Sequence, residues 1–209
     1  MNVSSSVAQV LLAAFLLTSS CSSSQVKERT IPTSDFGKVL IVYLSRTKNT
    51  KAIAEMIQQK VGGRLVAIEL EKPYPEDYGA IVKQVAEENE QSYLPPLKTK
   101  IDSIQNYDVV FVGFPTWGMQ LPPPMKSFLK QFDLSGKTVV PFNTNAGYGT
   151  GSSFETVKAL CSNSKVVEGF STKGGVERDG IYYVMEGEKL KQTQDEVTKW
   201  LQRLKLQMK

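Results

Sequence analysis

From Lys38 onward, short and nearly continuous apolar runs alternate with stretches whose apolar residues return every three or four positions. The runs at 39–44, 64–70, 108–114, 138–143 and 165–171 are mostly rich in Val, Ile and Phe, as strands covered on both faces are. Between them, Ile53, Met56, Ile57 and Val61 form one helical stripe, ended by Gly62-Gly63. Tyr78, Ile81, Val82 and Val85 form a second. Met125, Phe128, Leu129 and Phe132 form a third, entered through Pro122-Pro123-Pro124, where a missing N–H costs nothing. A fourth helix covers 154–160 with Ser152 and Glu155 as a capping box; a fifth carries Val197, Trp200, Leu201 and Leu204 behind the box Thr193/Glu196. This alternation predicts a doubly wound, five-stranded parallel α/β sheet in one domain. The segment 172–188 is the least regular. Within it, 181–185 reads either as a short extra strand or as part of a fifth strand interrupted by a glycine-rich loop.

In such a sheet, ligands sit outside the carboxyl ends of the strands, near the switch point. The loops there read SRTKNT, PTWGMQLPPP and TNAGYGTGSS. The first offers the hydroxyls of Ser45, Thr47 and Thr50, the amide of Asn49, and the N–H groups of a helix start. A capped helix start and an anion cradle both fit these residues. The Walker pattern is absent. The second loop sets Trp117 beside Gly118, so that Trp117 either stacks on a planar ligand or lids the core. The third packs Gly147, Gly149 and Gly151 around Tyr148, and Asn145 with the loop N–H groups can read a hydrogen-bonding rim. A dinucleotide fingerprint would place its third glycine at Ser152 and would follow the first strand, not the fourth.

Composition narrows the chemistry. The chain has 209 residues, 41% of them hydrophobic, which suits one well-packed domain. It has no histidine, which removes His general bases and most catalytic zinc sites. Any redox or group transfer then depends on a cofactor, carboxylates, Tyr, Lys or backbone dipoles. The net charge of +4 comes without a dense basic block, so nucleic acid is not an expected partner. Of the two cysteines, Cys161 reads as a small buried apolar residue.

Residues 7–17, VAQVLLAAFLL, fall short of the ~20 apolar residues a membrane span requires and fit a signal peptide. The small residues ending in Cys21 resemble the lipobox of bacterial lipoproteins, in which that cysteine is acylated. No Lys or Arg precedes the run, and Thr18 stands where that motif usually has Leu. The expected organisation is a signal peptide at 1–20, a polar tether at 21–37 and a folded domain at 38–209. Localisation is expected to be exported and membrane-anchored through Cys21.

YLSRTKNTK, PYPEDY, PTWGMQLPPPMKSFL and PFNTNAGYGTGSS occur in this order along the chain, and together they resemble the flavodoxin family in its bacterial subgroup. The resemblance implies a flavodoxin-like three-layer α/β/α fold with strand order 2-1-3-4-5, and FMN held noncovalently. It implies that Ser45, Thr47, Lys48, Asn49 and Thr50 grip the phosphate. Pro115, Thr116, Trp117 and Gly118 would lie along the isoalloxazine, with the Gly118 backbone near N5. Asn145, Ala146, Gly147 and Tyr148 would contact the pyrimidine side or the other ring face. No catalytic residue beyond the flavin and no metal is expected. The chain departs from the family pattern at Lys48, where a glycine is usual, and at Thr116, where the first of two tryptophans is usual. The function expected is electron transfer through FMN. The alternatives are an FMN-dependent NAD(P)H or quinone reductase and a flavin-free lipoprotein with a binding role. The expected partner is a redox protein or a quinone-like small molecule.

Overall fold

The computed structural model describes residues 36–208; the expected signal peptide, the acylated Cys21 and the tether up to residue 35 lie outside them, while Phe36, placed in the tether by the sequence, is buried in the core against Phe111. The elements in chain order are β1 (Val39–Tyr43), α1 (Asn49–Val61), β2 (Arg64–Ala67), α2 (Tyr78–Glu90), β3 (Val109–Pro115), α3 (Pro123–Gln131), β4 (Thr138–Asn145), α4 (Ser153–Leu160), β5 (Lys165–Val166), β6 (Phe170–Lys173) and α5 (Gly187–Met208). The sheet runs β2-β1-β3-β4-β5, with β6 also on β4, and all these pairings are parallel. The doubly wound architecture and the strand order 2-1-3-4-5 therefore stand as expected.

The continuous apolar runs resolve into two faces, because successive side chains of a strand point to opposite sides. Ile41, Phe111 and Phe142 face Ile53 and Ile57 of α1 and Trp200 and Leu204 of α5. Leu40, Val110 and Phe114 face Met125 and Phe128 of α3 and Val157 of α4. Cys161 is buried in the second core, and burial pushes its thiol pKa up to about 11, which keeps it protonated and unreactive.

The fifth strand departs from its single predicted run. It is broken into β5, beside Thr138 and Val139, and β6, beside Phe142 to Asn145. At the height of the break β4 presents Pro141, which has no N–H to donate. A Cβ at Gly169, in the break, would stand 2.7 Å from the Phe154 ring. The extra strand considered at 181–185 does not form; Val176 and Ile181 make one isolated antiparallel bridge.

Neither expected capping box forms. Helix α5 starts at Gly187, so Thr193 lies inside it, fully buried and without a hydroxyl partner. Leu190 in the added turns packs against the first core, which favours the longer helix. Ser152 precedes α4, but its N–H and hydroxyl both turn to the Met119 carbonyl, at 3.0 and 3.5 Å. That contact ties the β4–α4 loop to the β3–α3 loop. Gly151 is required for it, since a Cβ there would meet the Met119 oxygen at 2.0 Å.

Candidate functional site

The loops after β1, β3 and β4 meet at the carboxyl ends of their strands, around a cavity of about 520 Å³. Thr47, Asn49 and Thr50 line one end of it. Pro115, Thr116, Trp117 and Gly118, with Asn145 and Ala146, line its middle. Nine of the thirteen residues expected to hold a cofactor are thus brought together; Ser45, Lys48, Gly147 and Tyr148 do not line the cavity.

The first loop is built by its own side chains. Ser45 Oγ accepts the Lys51 N–H at 3.2 Å and so caps α1. Lys48 takes the left-handed backbone, φ 66° and ψ −6°, that a glycine would take, and its side chain is exposed. Among the described residues, the N–H groups of Thr47, Lys48, Asn49 and Thr50 meet no acceptor. Four orphan donors at the positive end of a 13-residue helix give the loop the polarity an anion cradle needs, while Ser45 gives it a cap, so features of both readings are present. A non-glycine residue in this conformation costs about 1–2 kcal/mol. Lys48→Gly is therefore expected to raise the melting temperature by about 2–4 °C in a thermal melt. An unchanged or lower value would mean that the turn carries no strain.

Asn49 is not free to point its amide at a ligand. Its Nδ2 donates to Tyr182 O at 2.6 Å and Thr47 Oγ1 at 2.9 Å, and its Oδ1 accepts the Val184 N–H at 3.1 Å. Only its backbone N–H remains for an anion. Thr50 Oγ1 lies 2.8 Å from Thr144 Oγ1, which joins the start of α1 to β4. Arg46 is likewise engaged. Its Nε lies 2.6 Å from Glu177 Oε1, Nη1 donates to Pro75 O at 2.8 Å, and Nη2 donates to Glu76 O. It braces the loop instead of offering a free charge.

In the second loop, Gly118 and Met119 both have positive φ, 56° and 59°, and Trp117 and Gln120 exchange backbone hydrogen bonds at 3.3 and 3.0 Å. The space where a Gly118 Cβ would stand is empty, so a ligand edge can approach that backbone. The Trp117 ring meets Tyr74 edge to face, centroids 5.6 Å apart at 82°. Tyr74 OH donates to Glu88, a carboxylate 6% exposed that also accepts from Gln84 Nε2 at 2.8 Å. Burial, then the bond to Glu88 and its charge, push the Tyr74 pKa well up, so the phenol remains a donor. Tyr74 and Glu88 hold the tryptophan in place.

In the third loop, Asn145 Oδ1 accepts the N–H groups of Gly147 and Gly149 at 2.8 and 3.2 Å, and its Nδ2 donates to Asn143 Oδ1 and Ser171 Oγ. Its side chain shapes the loop rather than reading a ligand rim. Tyr148 is 66% exposed and its hydroxyl accepts from Arg178 at 3.3 Å, so it supplies no wall. Thr116 Oγ1 donates to Gly149 O at 3.1 Å and accepts from Asn143 Nδ2 at 3.0 Å, which gives the residue in the usual tryptophan position a bracing role.

Sequence reasoning missed two parts of the lining. Gly174, Gly175 and Glu177 close one side, where Gly175 packs so tightly that a Cβ would meet Tyr182 O at 2.2 Å. Helix α2 supplies a whole wall through Tyr78, Ile81, Val82, Val85, Asn89 and neighbours. Its apolar stripe was legible, but nothing in a stripe says whether it faces a core or a cavity.

A family model described as flavodoxin matches residues 38–204. No curated protein matches the chain. Among solved structures, the chain is similar to a candidate flavoprotein from Bacteroides eggerthii DSM 20697 at 29% identity and a TM-score of 0.64, over 79% of this chain and 96% of that one. A candidate flavoprotein from Bacteroides uniformis ATCC 8492 is similar at 26% identity and a TM-score of 0.61, over 68% and 94%. A flavoprotein from Lactobacillus acidophilus NCFM, solved in complex with FMN, shares the fold at 23% identity and a TM-score of 0.58, over 65% and 92%.

Proposed function

Because this chain belongs to the flavodoxin family, we propose that it holds FMN noncovalently at the strand ends and acts as an electron-transfer protein. The observation that carries this reading is the set of four unpaired N–H groups at the start of α1, three of them on residues, Thr47, Asn49 and Thr50, that line the same cavity as Trp117. The residues present fit the cofactor. Thr47, Lys48, Asn49 and Thr50 would hold the phosphate by backbone donors, each contributing about 1.5–3 kcal/mol to a charged acceptor. Thr47 Oγ1 accepts from Asn49, which leaves its own proton to donate. Pro115 to Gly118 would line the ring, and Ala146 would add an apolar contact. When bound, FMN supplies one- and two-electron redox chemistry that no side chain here provides.

The chain's own residues then bind, orient and shield. The Arg46–Glu177 pair offsets one of the loop's two positive charges and leaves that of the exposed Lys48, so backbone dipoles and Lys48 would share the anion binding. Trp117, braced by Tyr74, would limit how the ring can lie and would shield one side of it from water. The net charge of +4 favours an electron partner with a negative surface.

Mass analysis of the chromophore released from the purified full chain tests the reading. FMN is the expected result; a colourless protein that stays colourless on adding FMN would overturn it. Trp117→Ala is expected to weaken FMN binding about ten- to hundredfold, since aromatic stacking contributes about 1–3 kcal/mol. Equilibrium dialysis measures it, and unchanged affinity would remove Trp117 from the site. A second reading, an FMN-dependent reductase of a small molecule, is favoured by the α2 wall, which extends the cavity past the cofactor loops.

A further inference from the structure

Helix α2 lends its apolar stripe to the cavity lining, with Tyr78 and Val82 as the accessible part and Ile81 and Val85 behind them. Ile81 and Val85 are 4% and 6% exposed, yet neither joins either hydrophobic core. Tyr78 and Val82, on the same stripe, are 40% and 49% exposed and also line the cavity. An amphipathic helix in a layered fold ordinarily spends its stripe on the core. From Tyr78 to Glu90 this wall runs about 18 Å at ~1.5 Å per residue, and none of the loops assigned to FMN belongs to it.

Beyond the apolar stretch the lining becomes polar and directional. Lys126 Nζ donates to Asn89 Oδ1 at 2.8 Å and to Gln120 Oε1 at 3.4 Å. An ammonium only donates, so it fixes both amides with their oxygens toward it. The NH₂ groups of Asn89 and Gln120 are left without an acceptor among the described residues, and both residues line the cavity. Burial lowers the Lys126 pKa, which accords with a partly desolvated setting. Glu90 also lines this end and disfavours an anionic ligand. Trp117, which meets Tyr74 edge to face, also lines the cavity.

We propose that the α2 side of the cavity is a second binding compartment, for a neutral planar aromatic ligand of the quinone class. Its ring would lie between Ile81, Val82 and Val85 and the Trp117 face, with a carbonyl oxygen accepting from the Asn89 and Gln120 amides. The compartment rests on the FMN reading only in that FMN occupies the loop side of the same cavity.

The test is calorimetric titration of the full chain with menadione, with flavin absorbance read in the same samples. Menadione is expected to bind the FMN-loaded protein without releasing FMN. Val82→Arg places a charge on the apolar wall, and Asn89→Asp keeps the acceptor for Lys126 but removes the donor. Each is expected to weaken menadione binding at least about tenfold, the value of a lost hydrogen bond or an obstructed apolar face. FMN content and melting temperature are expected to stay as in the wild type. No binding, displacement of FMN, or equal affinity in either variant overturns the compartment. If the chain proves not to hold FMN, the same titration on the flavin-free protein decides the compartment by the same two variants, so the two readings fail separately.

Discussion

Asn49→Ala is expected to lose about 2–4 kcal/mol of folding stability and to weaken FMN binding at least about a hundredfold. Asn49 is 2% exposed, and its side chain bonds Thr47, the Tyr182 carbonyl and the Val184 N–H. Removing it strands the Val184 donor in a buried setting and unties the cradle from the segment that backs it. The donors at Thr47 to Thr50 then lose the shape that lets them converge. Asn49→Asp separates the two effects. It keeps an acceptor for Val184 but places a carboxylate beside the phosphate, so stability recovers in part while affinity falls further. Urea melts and equilibrium dialysis measure the pair. An alanine variant with wild-type affinity would show that Asn49 does not shape the cradle.

Trp200→Ala is expected to cost about 3–5 kcal/mol, a large share of the ~5–15 kcal/mol by which such domains are stable. Trp200 is 1% exposed, meets Phe111 edge to face at 6.0 Å and Phe170 at 5.3 Å, and donates Nε1–H to Glu168 O at 3.2 Å. It holds α5 on the sheet and also supports the backbone in the break between β5 and β6. The urea midpoint should fall strongly with an unchanged slope. A loss below about 1 kcal/mol would mean that α5 does not pack through this residue.

The legible part of the fold was what periodicity encodes. The core strands and the stripes of Ile53, Met125 and Trp200 are local patterns, and they sit where those patterns said. The capping boxes at Ser152 and Thr193 were misread because a cap motif is also local, while its use is not. The carbonyl of Met119, 33 residues away, takes Ser152, and Leu190 draws α5 backward over Thr193. The split of the fifth strand opposite Pro141 depends on a partner strand that its own sequence does not contain.

The candidate site divides the same way. The sequence by itself determined the fold class and the three strand-end loops, since each follows from residue type and spacing along the backbone; the glycine usual at Lys48 was known only from the family resemblance, and the structure showed that Lys48 takes the left-handed backbone. Only the tertiary structure decided which groups remain free to bind. It engaged the Asn49 amide, Arg46 and the Asn145 side chain in bracing, turned Tyr148 outward, and aimed the α2 stripe at a cavity. A hydrogen-bonding group can serve a ligand only if the fold has not already taken it, and partners 131 or 133 residues away decide that for Arg46 and Asn49.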